Sequence, residues 1–149
     1  MPLKVEFHTG VVDESGFACR LLRKAYHVGA RVLVRAPAPL LQRLDRELWT
    51  FVEREFIPHL RFSGAAGVPA QAQRTPIWLV DDAVPPGHPP VLVNLDAEMP
   101  QQPQAFERII EIVGRDAGVV QRGRARWRAY EAHGLHPAHH AAAAGGEGG

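Results

Sequence analysis

The 149-residue chain reads as a single three-layer α/β domain, a mostly parallel central sheet flanked by helices. Three observations predict this. Short β-branched runs alternate with amphipathic helical stretches through the first third of the chain, and parallel neighbours need such crossovers between them. The length suits one hydrophobic core. A content of 46% hydrophobic and 22% charged residues is that of an ordinary globular fold, which excludes a disordered or fibrous chain.

The first strand is carried by Val5 and Phe7, alternating with polar neighbours and ending at Thr9-Gly10. Asp13 and Ser15 offer capping oxygens for a helix in which Phe17, Leu21, Ala25 and Val28 recur at helical spacing. Gly29 is its natural stop. Arg31-Val-Leu-Val-Arg35 is a second strand, and Pro37 and Pro39 mark the turn after it. Leu41, Leu44, Leu48 and Val52 then form the next helical stripe. Residues 62–75, rich in Gly, Ala, Pro and Gln, read as a loop. Ile77-Trp-Leu-Val80 and Val91-Leu-Val-Asn-Leu95 are two further strands, separated by Pro85, Pro86, Pro89 and Pro90. That connection is short for a helical crossover, which leaves an antiparallel direction open for one of the two. Ile109-Ile-Glu-Ile-Val113, led in by Phe106, is the last expected strand, and a final helix runs from Asp116 to about Ala132. The expected division is a domain over 1–135 and a disordered Ala/His/Gly tail over 136–149.

Charge and composition narrow the function classes. No apolar run is long enough to cross a bilayer, and Lys4 and Glu6 interrupt the start where a signal peptide would be apolar. With Cys19 as the single cysteine there is no internal disulfide, and the cytoplasm is the expected compartment. The net charge of +1 is unevenly spread. Asp81, Asp82, Asp96, Glu98, Glu107 and Glu111 against Arg108 make residues 79–111 acidic, at −5. Arg115, Arg122, Arg124, Arg126 and Arg128 against Asp116 make residues 115–128 basic, at +4. A near-neutral total argues against broad nucleic-acid binding, and a local cationic patch fits a smaller acidic partner.

Most candidate chemistry is weak. The first strand-to-helix turn, His8-Thr-Gly-Val-Val-Asp-Glu-Ser-Gly16, holds no glycine-rich phosphate motif, and Asp13 and Glu14 would repel a phosphate. Cys19 reads as a packed structural thiol without an assignable base. His133, His136, His139 and His140 lack the cysteines and scaffold of a structural zinc site, so no metal and no cofactor is expected. Asp81-Asp82 at a strand end is the one place for an enzymatic alternative, and a solvated strand end is the commoner case. The informative stretch is Gln121-Arg-Gly-Arg-Ala-Arg-Trp-Arg-Ala-Tyr130. On a helix, Arg124, Trp127 and Arg128 share a face, a cationic surface with an aromatic floor suited to carboxylates beside an apolar group. Arg122 and Arg126 form a second pair displaced around the helix. Spacing leaves a second reading equally open, a solvated basic helix with Trp127 and Tyr130 turned into the core. Direct nucleic-acid binding through Arg122 to Arg128 is a further alternative.

Three segments resemble the chi subunit of bacterial DNA polymerase III. Arg43-Leu-Asp-Arg-Glu-Leu-Trp49 is similar to the family's R-L-D-x-x-L-W helix, and Phe56-Ile-Pro-His59 to its F-(V/I)-P-H segment. Gly123-Arg-Ala-Arg-Trp-Arg-Ala-Tyr130 is similar to its R-E-R-(Y/W)-(K/R)-x-Y helix. Order and spacing of all three agree. The resemblance implies a nucleotide-binding-like topology without a phosphate loop, and a non-catalytic accessory subunit of the clamp-loader complex. It implies binding of the acidic C-terminal tail of single-stranded DNA-binding protein, with Val113, Arg124, Trp127 and Arg128 as the site. It also implies a surface for the psi subunit, or for a helicase, at Phe56 and Pro58, with Trp49 beside them or in the core. Nucleic acid would be reached only indirectly. Trp127 stands where some relatives have tyrosine, Arg128 where some have lysine, and Ala125 where the family has glutamate.

Overall fold

The computed structural model describes residues 3–50 and 56–142. In chain order the elements are β1 (Lys4–Val11), α1 (Glu14–His27), β2 (Val32–Arg35), α2 (Ala38–Thr50) and β3 (His59–Arg61). There follow β4 (Ile77–Val80), β5 (Val91–Leu95), β6 (Arg108–Gly114), α3 (Ala117–Ala132) and β7 (Ala138–Ala141). Short 3-10 turns occur at Ala70–Arg74 and Pro103–Ala105. The strands form one all-parallel sheet in the order β3-β4-β2-β5-β6-β1-β7.

Local chemistry sets the helix ends. The Asp13 side chain accepts the Gly16 N–H, satisfying a donor that the first turn of α1 leaves open, while the Ser15 hydroxyl bonds to Asp13 instead of capping. Gly29, at φ +76°, lets the chain turn away after α1. Val28 lies past the helix end and is 80% exposed, so it is not part of the buried stripe. Asp116 caps α3 through the N–H groups of Gly118 and Val119.

Strand alternation sends side chains to two cores. On one face Phe17, Cys19 and Leu22 of α1 and Leu41, Leu44 and Leu48 of α2 pack on Val34, Leu79, Val93, Ile110 and Ile112. On the other, Phe7, Leu33, Trp78, Ile109 and Val113 meet Tyr130 of α3 and the loops that carry Ala72 and Phe106. Leu41, Leu44 and Leu48 are each at most 1% exposed, as their spacing predicts, whereas Val52 lies outside the described residues.

The structure differs from the sequence reading, or adds to it, in three places. β4 and β5 are not neighbours: β2 lies between them, parallel to both, so the proline-rich connection crosses one strand without a helix and neither strand runs antiparallel. Between Phe56 and the loop, β3 adds an edge strand too short to read from alternation. The expected tail is not unstructured throughout, because Ala138–Ala141 pair with β1 from Glu6 to Thr9 as an edge strand. Backbone pairing with the open edge of β1 holds it there, although no apolar pattern announces it.

Candidate functional site

β6 shows how the basic helix is oriented. Ile109, Glu111 and Val113 share the face toward α3, so an acidic residue sits in the middle of an apolar wall. Glu111 is fully buried and accepts from the Arg126 Nε–H at 2.9 Å, the Asn94 amide at 2.9 Å and the Tyr130 hydroxyl at 2.7 Å. Burial pushes its carboxyl upward, against the pull of Arg126, Asn94 and Tyr130. The same burial, with Glu111 alongside, holds the Tyr130 hydroxyl protonated far above the ordinary tyrosine range. One turn earlier, Arg122 clamps the Asp96 carboxylate through two bonds of 3.0 and 2.8 Å. The second arginine pair is therefore neutralised within the protein. Arg124 and Arg128 remain exposed and form no ion pair among the described residues.

With Arg126 and Tyr130 anchored inward, helical geometry sends Val120, Gly123, Arg124 and Trp127 to one side, at i, i+3, i+4 and i+7. They line a cavity of about 450 Å³. Phe7, Val113, Val120 and Trp127 make its apolar walls, Gly10 and Gly123 its bare backbone, and Thr9, Arg124 and His139 its polar groups. The volume accommodates a large side chain. A Cβ at Gly123 would lie 3.1 Å from both Val113 methyl groups, so glycine is what lets α3 come this close to β6. The Trp127 ring packs on Phe7 with centroids 5.0 Å apart, half-buried, while Tyr130 is wholly buried. Tyr130 is thus turned into the core, while Trp127 packs against it only partly buried. Val113, Arg124 and Trp127 come together around the cavity, and Arg128 lies one helical turn past Arg124, outside its lining.

Trp49 and Phe56 form a second surface. They are 57% and 58% exposed, with ring centroids 5.3 Å apart, and Pro58 beside them is half-buried. Trp49 is therefore a surface residue and not an extension of the α2 core stripe. The buried His59 supports it from below, ring centroids 4.9 Å apart, held by Asp45 at 2.8 Å and the Ile57 carbonyl at 2.7 Å.

The Asp81-Asp82 strand end has a structural occupation. The Asp82 carboxylate accepts from the Ser63 hydroxyl at 2.6 Å and the Gly64 N–H at 2.8 Å, fastening the loop after β3. Arg35 beside it donates to the backbone carbonyls of Asp82 and Glu98. Burial pushes the Cys19 thiol up to about 12, so it stays protonated and packed. Among the described residues no three His, Cys, Asp or Glu side chains cluster as metal ligands, and no helix is long and apolar enough to cross a membrane.

Sequence reasoning missed Glu111 and His139. An acid inside Ile-Ile-Glu-Ile-Val was the available signal for the first, since a carboxylate among β-branched residues needs a buried partner. Nothing in the local pattern signals the second.

Fold and site together define a small α/β protein with two exposed features, an apolar cavity with Arg124 in its lining and a separate aromatic patch. The family description "DNA polymerase III chi subunit, HolC" matches residues 2–138, and the chain belongs to that family. It is 30% identical over 118 residues, 78% of each chain, to the DNA polymerase III subunit chi of Pseudomonas aeruginosa. It is 29% identical over 113 residues, 74% of this chain and 75% of the relative, to that of Haemophilus influenzae.

Proposed function

We propose that this chain is a non-catalytic accessory subunit of the DNA polymerase III holoenzyme, cytoplasmic, that docks the acidic C-terminal tail of single-stranded DNA-binding protein. The observation that carries the reading is the apolar cavity with the unpaired Arg124 on its rim. The cavity takes the terminal phenylalanine of a tail ending in Asp-Asp-Asp-Ile-Pro-Phe, lying between Val113 and Trp127. Arg124 meets the chain-end carboxylate, and Arg128, one turn further along α3, meets the aspartates. The Trp49, Phe56 and Pro58 patch serves a different partner, the psi subunit, which joins the chain to the clamp loader, or a helicase. Two exposed aromatics in contact are the kind of anchor that a protein interface buries.

Titration with a synthetic peptide of that ending tests the tail site. Each exposed arginine–carboxylate pair is worth about 1 kcal/mol or less, so binding is moderate and weakens with salt. Arg124→Ala and Arg128→Glu should each weaken it several-fold while leaving the unfolding midpoint in place. Unchanged affinity in both rules out this site. Preference for a single-stranded oligonucleotide over the peptide would favour direct nucleic-acid binding instead. Against that alternative, Arg122 and Arg126 are already engaged by Asp96 and Glu111, which leaves two of the four arginines for phosphates.

A further inference from the structure

β7 does more than lengthen the sheet. In its parallel register with β1, Phe7 pairs with His139 and His8 with His140, so successive histidines point to opposite faces. His140 stacks on His8, centroids 5.0 Å apart, on the side where His8 meets Phe17 of α1. His139 faces α3, where its ring meets Trp127 edge-to-face at 6.3 Å and lines the cavity. Its Nε2 lies 2.6 Å from the Thr9 hydroxyl oxygen. The family match ends at residue 138, one position before this side chain.

The hydrogen-bond arithmetic of the Thr9–His139 pair, both of whose members line the cavity, leaves one donor unshared. If Nε2–H donates to the hydroxyl oxygen, the Thr9 O–H is unshared. If the hydroxyl donates to Nε2, the Nδ1–H is unshared. In either tautomer the pair keeps a donor for an incoming acceptor. Arg124 supplies donors from α3, and the walls between are apolar. An apolar hole with donors on two different walls fits a residue that carries a carboxylate as well as an apolar side chain, which is the last residue of a polypeptide.

We propose that His139, with Thr9, is a second anchor for the chain-end carboxylate, so that β7 is a working wall of the binding site. This rests on the reading of the cavity as an acidic-tail site. The occupant is the same, and what is added is a determinant that selects a free chain terminus over an internal apolar side chain.

The test uses the full chain and two peptides ending in Asp-Asp-Asp-Ile-Pro-Phe, one with a free carboxylate and one amidated. His139→Ala should weaken the free-acid peptide about tenfold, the lower end of the scale of one hydrogen bond to a charged acceptor, and the amidated peptide less than about twofold. His139→Phe keeps a ring against Trp127 without a donor and should match His139→Ala. His140→Ala, on the same strand but the other face, should leave both affinities unchanged. Equal free-acid affinity in the unaltered chain and His139→Ala overturns the proposal while the tail site stands. So does an equal loss for both peptides, which would reduce His139 to shaping the wall. A matching loss in His140→Ala also overturns it, since strand stability alone would then be at issue. Absence of binding by the unaltered chain, or binding indifferent to Arg124→Ala, removes the underlying reading and this one together.

Discussion

Replacing Arg126 by methionine should destabilise the protein strongly, and by an amount that depends on pH. The Arg126 side chain is 7% exposed and Glu111 is fully buried, with Nε and Oε1 2.9 Å apart. Removing one partner of such a pair costs about 3–5 kcal/mol because the other charge is left stranded in low dielectric. Here Asn94 and Tyr130 still donate to Glu111, which places the expected loss near the bottom of that range, about 3 kcal/mol at neutral pH. For a chain of this size that lowers the midpoint of thermal unfolding by about 6–12 °C. The sign of the pH dependence follows from the direction of the Glu111 shift. Its folded carboxyl titrates above the unfolded one, so its burial is cheapest when it is protonated and becomes more costly as pH rises from the ordinary glutamate value of 4.5. Without Arg126 the carboxyl is pushed further upward, so the cost of Arg126→Met should shrink between neutral pH and about pH 5. Urea unfolding at both pH values measures this, and Arg126→Met/Glu111→Gln should recover most of the loss. A cost below about 1 kcal/mol at neutral pH would show that the pair does not orient α3. A cost independent of pH would show that Glu111 is not the stranded charge.

Gly123→Ala tests the close approach of α3 to β6. The gain in helix propensity is about 1 kcal/mol, but Val113 is β-branched and fixed in a strand, so 3.1 Å contacts to both its methyl groups cost about 1–3 kcal/mol. Net destabilisation in urea is expected together with weaker peptide binding, and a stabilised variant with full affinity would contradict the packing. The His8 ring concerns β7. Burial and then His140 hold its proton affinity below the ordinary value of 6.5, so the folded state resists a proton that the unfolded chain accepts. The stability is complete above about pH 6.5 and declines as pH falls below it. Amide exchange across β7, corrected for intrinsic rates, should accelerate under acid in the unaltered chain and not in His8→Gln. Equal acceleration in both would place the sensitivity elsewhere.

The strands and helices were legible because their signals are local. Leu41, Leu44 and Leu48 mark one helix face by spacing alone, Asp13 and Asp116 offer caps where the helices start, and Val32 to Val34 are β-branched or apolar throughout. The cationic aromatic helix was legible for the same reason, down to Arg124 and Trp127 sharing a side. Strand order was not, since the proline-rich connection carries no mark of which strand it crosses.

What composition could not reveal is which charges are free. Five arginines between 115 and 128 look equivalent in the chain. Folding brings Asp96 from beyond β5 and Glu111 from the middle of β6 against Arg122 and Arg126, which leaves Arg124 and Arg128 to solvent. Likewise Ala138–Ala141 has nothing apolar enough to announce a strand, and only the open edge of β1 makes it one and turns His139 toward Trp127. Helical phase and capping are decided within a few residues of the chain. Neutralisation of a charge and pairing of a sheet edge depend on groups that only tertiary structure brings within bonding distance.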